Sequence, residues 1–259
     1  MRIAVTGGTG TLGRPTVAAL VAAGHEVAVL SRRRGGVEAG LGPDLGRGVR
    51  VSGDLRDPQS LLDLCRGADV VLHLATGGGR SVAKVDVEGT ASLVAAARSG
   101  RVRHFAYVSI VGCDRVPLRY YRGKVAAEEH VRDSGLPWTV VRATQFHSLV
   151  ATVLGWSPVV PRGWLLQPLA PSVVARVLAE LVGVGPSDNI AVAGPQVRPV
   201  EDLAAALDRA LGRRSRPVVR VPGALSVAIG AGGLTNPGAA YPGPSFEEWL
   251  ADQSRQDLG

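Results

Sequence analysis

The sequence predicts an α/β protein with a doubly wound parallel sheet and a small C-terminal α/β lobe. Short apolar runs alternate with segments whose apolar residues recur at helical spacing, as in strand–helix–strand units. The run 68–75 is nearly continuously apolar, which is typical of a central strand covered by helices on both faces. We expect His73, inside this run, to be packed in the core.

The most informative turn of the chain follows the first apolar run, 3–5. Glycines stand there at positions 7, 10 and 13, and a segment with helical spacing, 15–23, leaves the turn. Glycine permits a tight turn, close approach of a pyrophosphate and close packing of helix on strand, while the helix N-terminus offers N–H groups to an anion. The sequence therefore predicts a dinucleotide-binding turn. The expected contacts are Thr6, Gly7, Gly10, Thr11, Leu12 and Gly13.

The end of the second strand, 25–30, bears on the choice of dinucleotide. In this arrangement an acidic residue there binds the ribose 2′-hydroxyl of NAD, whereas arginine accommodates the 2′-phosphate of NADP. The chain has Ser31, Arg32 and Arg33 at this place and no Asp or Glu. An exposed basic turn is the alternative, but the position favours NADP(H) over NAD(H).

Further cofactor contacts are expected where the next two strands end. Asp54 and Leu55 follow the strand 49–51, and we expect the Asp54 carboxylate to accept a hydrogen bond from the adenine amino group. Asp57 can serve the adenine too, or cap the helix that begins near Pro58. Ala75 and Thr76 end the central strand, at the sheet edge where open α/β proteins bind ligands.

A candidate catalytic group follows the strand 103–109. Tyr120 precedes Lys124 by four residues, so in a helix the two share a face and can act on one ligand. A phenol near a fixed ammonium has its phenolate favoured, which makes it a proton donor and acceptor near neutral pH. The Ser109 hydroxyl, at the strand end, can hold a substrate carbonyl.

The glycine turn, Ser109 and the Tyr120–Lys124 pair, in this order, resemble the short-chain dehydrogenase/reductase superfamily. Segments 53–55, 120–124, 134–139 and 142–146 most resemble its atypical, NmrA-like branch of NAD(P)-binding proteins. The resemblance implies a Rossmann fold, with Tyr120 as acid/base and Ser109 as the group that orients the substrate. It also implies that Lys124 binds the nicotinamide ribose and lowers the pKa of Tyr120. The branch includes NADP-binding redox sensors that turn over no substrate.

We expect residues 1–146 to form the NAD(P)-binding domain and residues 147–259 a small substrate-binding lobe. Residues 143–155 are predicted to be helical. The tryptophans beyond them indicate either the wall of an apolar substrate pocket or a small satellite core. The expected substrate contacts are Gln145, Phe146, His147, Trp156 and Trp164.

Composition limits the expected partners. The chain has 29 basic and 22 acidic residues; the basic residues are dispersed, almost all arginine, and not interleaved with aromatics, which favours solvated surface over a nucleic-acid site. Two cysteines predict neither a disulfide framework nor a metal cluster and fit a reducing, cytoplasmic setting. The N-terminus lacks a leader pattern, and no apolar stretch approaches the length of a bilayer span. We expect a monomer or homodimer that binds a small molecule, without metal, nucleic acid or membrane.

Among enzymes, these features favour an NADPH-dependent reductase. Hydride would pass to a carbonyl or conjugated double bond of a small apolar substrate, and Tyr120 would donate the proton. A non-catalytic NADP(H) sensor is the alternative. An epimerase or dehydratase is a third possibility, but it normally needs a second acid/base and a larger lobe.

Overall fold

The computed structural model describes residues 1–32, 48–77, 81 and 83–256. Its strands alternate with helices along the first two thirds of the chain, as the apolar patterning predicts. The strands are β1 (Arg2–Thr6), β2 (Glu26–Ser31), β3 (Gly48–Ser52), β4 (Val70–His73), β5 (His104–Ile110), β6 (Trp138–Ala143), β7 (Val160–Pro161), β8 (Leu165–Leu166), β9 (Asp188–Val192), β10 (Arg198–Pro199) and β11 (Val218–Val219).

The central sheet has seven strands in the order β3-β2-β1-β4-β5-β6-β9. The pairs β2–β3, β1–β2, β1–β4 and β4–β5 are parallel. The strand order runs outward from β1 to β3 and then restarts on the other side with β4, so the topology switches beside β1. This confirms the predicted doubly wound α/β fold.

The first two helices begin close to the predicted positions, 15 and 58. They are α1 (Gly13–Ala22), α2 (Pro58–Cys65), α3 (Gly89–Ser99), α4 (Arg119–Arg132), α5 (His147–Trp156), α6 (Pro171–Val184), α7 (Val200–Ala210), α8 (Ala224–Gly230) and α9 (Phe246–Gln256). A π-helical segment, Ala83–Glu88, runs directly into α3. Within the described ranges, every helix is too short or too polar to span a bilayer.

Asp57 caps α2, which confirms one of its two predicted roles; the adenine contact stays a prediction. Its carboxylate accepts hydrogen bonds from the backbone N–H groups of Gln59 (3.2 Å) and Ser60 (3.3 Å) and from the Ser60 hydroxyl. These contacts satisfy amide groups that the first turn of a helix leaves without intrahelical partners, and Pro58 stands at the first helical position.

The predicted helix 143–155 begins later than expected. Ala143 is still part of β6, and the Thr144 backbone N–H donates to the Val192 carbonyl at 3.0 Å. Phe146 forms an isolated bridge with Leu169, so α5 starts only at His147. Extended pairing with distant segments holds 144–146 out of the helix, and nothing in the local sequence signals those partners.

The chain divides into two compact units. The first comprises Met1–Ser109, Arg122–Val141 and Val174–Ile190, and the second comprises Ile110–Tyr121, Arg142–Val173 and Ala191–Gly259. Each has an apolar cluster, exemplified by the buried Leu64, Leu93 and Phe105 in the first unit. Leu203 and Phe246 are buried in the cluster of the second unit. A domain boundary at residue 146 stays a prediction.

Three histidines are buried within these units. His73, His104 and His147 are at most 3% exposed. Desolvation lowers the pKa of His73 to about 3, with a further contribution from the charge of Lys124. Desolvation also lowers the pKa of His104 and of His147 to about 4. The folded protein therefore keeps these imidazoles neutral at pH 7.

The buried histidines predict that stability falls on mild acidification. Between the folded pKa values and the unfolded value near 6.5, the unfolded chain binds protons that the folded chain does not. The stabilisation is complete above that range and is lost as the pH falls. From pH 7 to pH 5 we expect a loss of up to about 2 kcal/mol per buried imidazole in the free energy of unfolding.

Urea unfolding at a series of pH values measures this effect. His104→Gln is expected to reduce the slope of unfolding free energy against pH, because one buried imidazole is gone. His130→Gln, at an exposed position of α4, serves as the matched control with an unchanged slope. An identical slope in His104→Gln and the wild-type protein would contradict the prediction.

Candidate cofactor and active site

The turn after β1 requires glycine for steric reasons. Gly7 has a φ of +71°, and a Cβ placed on it would lie 2.6 Å from the Ala75 backbone nitrogen. A Cβ on Gly13 would collide with the Gly7 carbonyl, and the Gly10 N–H closes the turn by donating to that same carbonyl at 3.0 Å. The ends of β1 and β4 and the start of α1 therefore approach one another closely, as in a dinucleotide-binding turn.

The start of α1 suits a phosphate group. The side chain of Leu12, which precedes the helix, forms no capping hydrogen bond, and the first turn contains no acidic residue in this described stretch. Thr11 is exposed beside it. Helix N-termini of this kind bind anions through their backbone N–H groups. The Thr6 side chain is instead buried, with its hydroxyl 2.6 Å from Nδ1 of His73.

Positive charge collects where β2 and β3 end. Ser31 is buried at the end of β2, Arg32 is exposed after it, and Arg33 lies outside the described residues. Asp54 forms a bidentate ion pair with Arg56, whose Nε and Nη2 donate at 3.0 and 2.9 Å. This hydrogen bonding lowers the pKa of Asp54 to about 2, and the charge of Arg32 contributes to the shift. Sequence reasoning missed Arg56, two residues after Asp54.

A buried carboxylate that sequence reasoning also missed lies at the ends of β4 and β5. Asp86, in the π-helical segment before α3, is fully buried and forms a 2.8 Å ion pair with Nζ of Lys124. It also accepts hydrogen bonds from the Thr76 hydroxyl at 2.9 Å and from the Gly77 backbone N–H at 2.8 Å. In the sequence Asp86 is marked only as an acidic residue between Val85 and Val87, at the start of the helical segment after β4.

The ammonium group of Lys124 is held on more than one side. It donates to the Tyr107 hydroxyl at 3.1 Å, and the Val108 carbonyl near the end of β5 lies at 3.5 Å. The lysine side chain is only 4% exposed. A buried charge is tolerated when it is paired and hydrogen-bonded, and Asp86 and Lys124 meet this condition within the first unit.

A hydrogen-bonded histidine lies beside this ion pair. Nε2 of His73 is 2.9 Å from the Thr90 hydroxyl, which donates its own proton to the Asp86 carbonyl. Thr90 must therefore accept from His73, so the proton of the neutral imidazole is on Nε2 and Nδ1 accepts from Thr6. The full burial and two hydrogen bonds of His73 confirm the predicted core histidine.

The predicted catalytic residues lie on β5 and α4. Tyr120 and Lys124 are one helical turn apart in α4, so the shared helix that the spacing indicates is present. Ser109, 2% exposed, is next to the last residue of β5. Tyr120 is half-buried, whereas the neighbouring Tyr121 is buried, and burial raises the pKa of Tyr121 to about 12. The catalytic roles themselves stay predictions.

Two of the predicted substrate contacts are engaged in hydrogen bonds with the backbone of the second unit. Nε2 of Gln145 donates to the Leu234 carbonyl at 2.9 Å, and its Oε1 accepts from the Gln167 N–H at 3.1 Å. Nε2 of His147 lies 3.1 Å from the Pro244 carbonyl. Both side chains are buried, and their hydrogen bonds hold the loops that contain these backbone groups.

The remaining three predicted substrate contacts differ in exposure. Phe146 is half-buried at the start of α5. Trp164 packs against the apolar cluster of the second unit, and its indole N–H donates to the Ser226 hydroxyl at 2.7 Å. Trp156 is 87% exposed at the end of α5. Substrate binding by these three residues stays a prediction.

Comparison with known proteins agrees with this geometry. Residues 7–152 match a protein family described as NAD(P)H-binding. The chain belongs to this NAD(P)H-binding family. Membership implies a nicotinamide cofactor, for which the glycine turn and the start of α1 provide a fitting cradle. The superfamily is that of the atypical short-chain dehydrogenases/reductases, as the sequence motifs suggest.

Several members and neighbours are named enzymes. The chain is 32% identical over 272 residues to a (4-alkanoyl-5-oxo-2,5-dihydrofuran-3-yl)methyl phosphate reductase of Streptomyces griseus, covering 99% of this chain and 88% of that one. It is 33% identical over 160 residues to a chloroplastic divinyl chlorophyllide a 8-vinyl-reductase of Zea mays, covering 56% and 40%. The chain is also 30% identical to an uncharacterized protein of Mycobacterium tuberculosis, over 85% of this chain. That protein is longer, and this chain spans 25% of it. The protein is thus an oxidoreductase.

The fold is also that of solved structures. An NADPH-dependent quinone oxidoreductase from Escherichia coli, complexed with NADPH, aligns with a TM-score of 0.79 at 18% identity, covering 98% of this chain and 99% of that one. A nucleoside-diphosphate-sugar epimerase from Staphylococcus aureus aligns with a TM-score of 0.78 at 18% identity, covering 96% and 99%. At these identities the likeness shows the shared fold alone.

The ion pair predicts that Asp86 is a major contributor to stability. Asp86→Ala would leave the Lys124 ammonium buried without its carboxylate, so we expect a loss of about 3–5 kcal/mol in the free energy of unfolding. Asp63→Ala on α2 is the matched control, because it removes an exposed ion pair with Arg66 worth at most about 1 kcal/mol.

Urea unfolding of both variants measures the difference. The double variant Asp86→Asn/Lys124→Met is expected to lose less unfolding free energy than Asp86→Asn and Lys124→Met lose together. In the double variant no charge is left buried without a partner. Losses for Asp86→Ala and Asp63→Ala that agree within about 1 kcal/mol would refute the role of the buried pair.

Proposed function

We propose that this chain is an NADPH-dependent reductase that acts on a carbonyl or conjugated double bond of a small apolar substrate. The observation that carries the proposal is the position of Tyr120, one turn before Lys124, whose ammonium is anchored by Asp86 at the ends of β4 and β5. Bound NADPH would supply the hydride. The named reductases among the relatives support the same reaction class.

In this proposal Tyr120 donates the proton that the reduced substrate needs. Addition of hydride leaves an electron pair on the substrate oxygen, or on carbon for a conjugated double bond, and the phenol proton neutralises it. The fixed positive charge of Lys124 favours the resulting phenolate, which then regains a proton from solvent. The Ser109 hydroxyl, near the end of β5, orients the substrate carbonyl.

The preference for NADPH over NADH is part of the proposal. A 2′-phosphate needs cationic partners, and the arginines at the ends of β2 and β3, Arg32 and Arg56, provide them. Asp54 is already paired with Arg56, and the charges of Arg56 and Arg32 both lower its pKa. The adenine contact proposed for Asp54 would use the carboxylate lone pairs that Arg56 leaves free.

The substrate side of the proposal rests on the second unit. Phe146 and Trp164 are half-buried aromatic side chains, and Gln145 and His147 hold the loops around Gln167 and Pro244 in place. Residues 147–259 are proposed as the substrate-binding lobe.

Tyr120→Phe tests the reaction. We expect kcat toward a panel of quinones, enones and ketones to fall by about 100-fold or more, because the proton donor is lost. The Kd for NADPH, followed by its fluorescence, is expected to stay within about twofold, since the Phe ring preserves the packing. Tyr241→Phe, at another half-buried tyrosine, is the matched control with unchanged turnover.

Two outcomes would contradict the proposed reaction. The first is unchanged kcat in Tyr120→Phe. The second is tight NADPH binding by the wild-type protein with no turnover of any compound in the panel, which would identify an NADP(H) sensor.

Arg32→Ala tests the cofactor preference. Losing one charged hydrogen-bond donor to the 2′-phosphate is expected to weaken NADPH binding about tenfold or more and to leave NADH binding unchanged. Arg66→Ala, at an exposed arginine of α2's end, is the control. Equal weakening for NADPH and NADH would argue against a 2′-phosphate contact. The double variant Arg32→Ala/Arg33→Ala should enlarge the difference.

A further inference from the structure

Helix α5 carries apolar residues on two different faces. Val150 and Leu154 are buried in the apolar cluster of the second unit. On the other side Leu149, Val153 and Trp156 are 54%, 59% and 87% exposed. Their spacing of four and then three residues places them in one stripe along the helix. Single exposed apolar residues are common on protein surfaces, whereas a contiguous stripe of them is characteristic of an interaction surface.

An arginine-rich segment contacts the C-terminal end of α5. Between residues 209 and 221 the chain has five arginines and no acidic residue. Arg213 donates to the Gly155 carbonyl at 3.4 Å, and Arg216 donates to the Ser157 carbonyl at 2.9 Å, so this segment lies against the end of α5. Arg162 joins it through a backbone hydrogen bond to the Val219 carbonyl.

Most of this positive charge is available to a partner. Arg216 is neutralised by Asp208 at 2.9 Å. Among the described residues no carboxylate forms an ion pair with the exposed arginines of this group. They are Arg162, Arg209, Arg213, Arg214 and Arg220. We call these five arginines, together with Leu149, Val153 and Trp156, the Trp156 surface.

We propose that the Trp156 surface docks on the surface of an anionic lipid bilayer. An exposed tryptophan and two aliphatic side chains suit the boundary between headgroups and acyl chains, where tryptophan is enriched. The surrounding guanidinium groups match lipid phosphates, and each cation near an anionic bilayer strengthens its attraction. The contact is peripheral and needs no membrane-spanning helix, and it stands independently of the proposed reaction.

Charge and side-chain type favour the bilayer over two other occupants. A second copy of the chain in a two-fold interface would bring the arginine groups of both copies face to face, which costs energy. Single-stranded nucleic acid would use Trp156 for stacking and the arginines for phosphates, but it would leave Leu149 and Val153 in water. A lipid surface offers acyl chains to the apolar stripe and phosphate groups to the arginines.

Sedimentation of the full chain with vesicles tests the proposal. Vesicles of phosphatidylcholine mixed with phosphatidylglycerol are compared with vesicles of phosphatidylcholine alone. We expect the protein to sediment with the anionic vesicles only, and less at high salt, because salt screens the arginine–phosphate attraction. The variants Arg214→Glu/Arg220→Glu and Leu149→Ser/Val153→Ser are each expected to weaken this binding at least about tenfold.

Two further variants locate the contact. Arg98→Glu/Arg101→Glu alters two exposed arginines of the first unit, makes the same change in net charge, and is expected to bind like the wild-type protein. Anionic vesicles are expected to shift the tryptophan fluorescence of the wild-type protein to shorter wavelength. Trp156→Phe should still sediment but show a smaller shift, because it removes the exposed tryptophan of this surface and leaves three others in the chain.

Several results would overturn the proposal. The first is failure of the wild-type protein to sediment with anionic vesicles, and the second is unimpaired vesicle binding by Leu149→Ser/Val153→Ser. The third is a loss of vesicle binding in Arg98→Glu/Arg101→Glu equal to that in Arg214→Glu/Arg220→Glu, which would mean that binding follows net charge alone. Dimerisation abolished by Leu149→Ser/Val153→Ser, or retention of an oligonucleotide without any vesicle binding, would assign the surface to another partner. All substituted positions are exposed, and thermal unfolding verifies that each variant is folded.

Discussion

The buried ion pair between Asp86 and Lys124 is the constraint on which the candidate active site depends. Two charges removed from water are tolerated only when they meet each other and their remaining hydrogen-bonding capacity is filled. Here that condition connects the loop after β4, the π-helical segment, the end of β5 and helix α4. Tyr120 precedes Lys124 by one helical turn in α4.

The glycine turn imposes a second, steric constraint on the same edge. Backbone atoms at the ends of β1 and β4 approach too closely for a side chain on Gly7, and α1 begins against that turn. The order of the strands puts this contact at the point where the sheet reverses its topology. Strand packing therefore uses the same turn that the sequence predicts for phosphate binding.

Polar side chains in the second unit serve mainly to organise loops. Gln167 donates to the Gly194 carbonyl at 2.7 Å and accepts from the Asn236 N–H at 2.7 Å, while Gln145 binds the backbone at both ends of its amide. Buried amides of this kind satisfy backbone groups that no helix or strand serves. Residues predicted from the sequence as ligand contacts can therefore hold loops in place through hydrogen bonds to the backbone.

The sequence by itself determined the features that depend on neighbouring residues. The alternation of strands and helices, the glycine turn and the helical pairing of Tyr120 with Lys124 all follow from short-range spacing, because each backbone conformation has its own period. The motif order also indicated the superfamily. The membership of β9 in the main sheet and the late start of α5 were decided by the tertiary structure. So were the meeting of Asp86 with Lys124 and the exposure of Trp156. These features depend on contacts between segments far apart in the chain, or on which face of a helix the rest of the fold covers, and no local pattern contains that information.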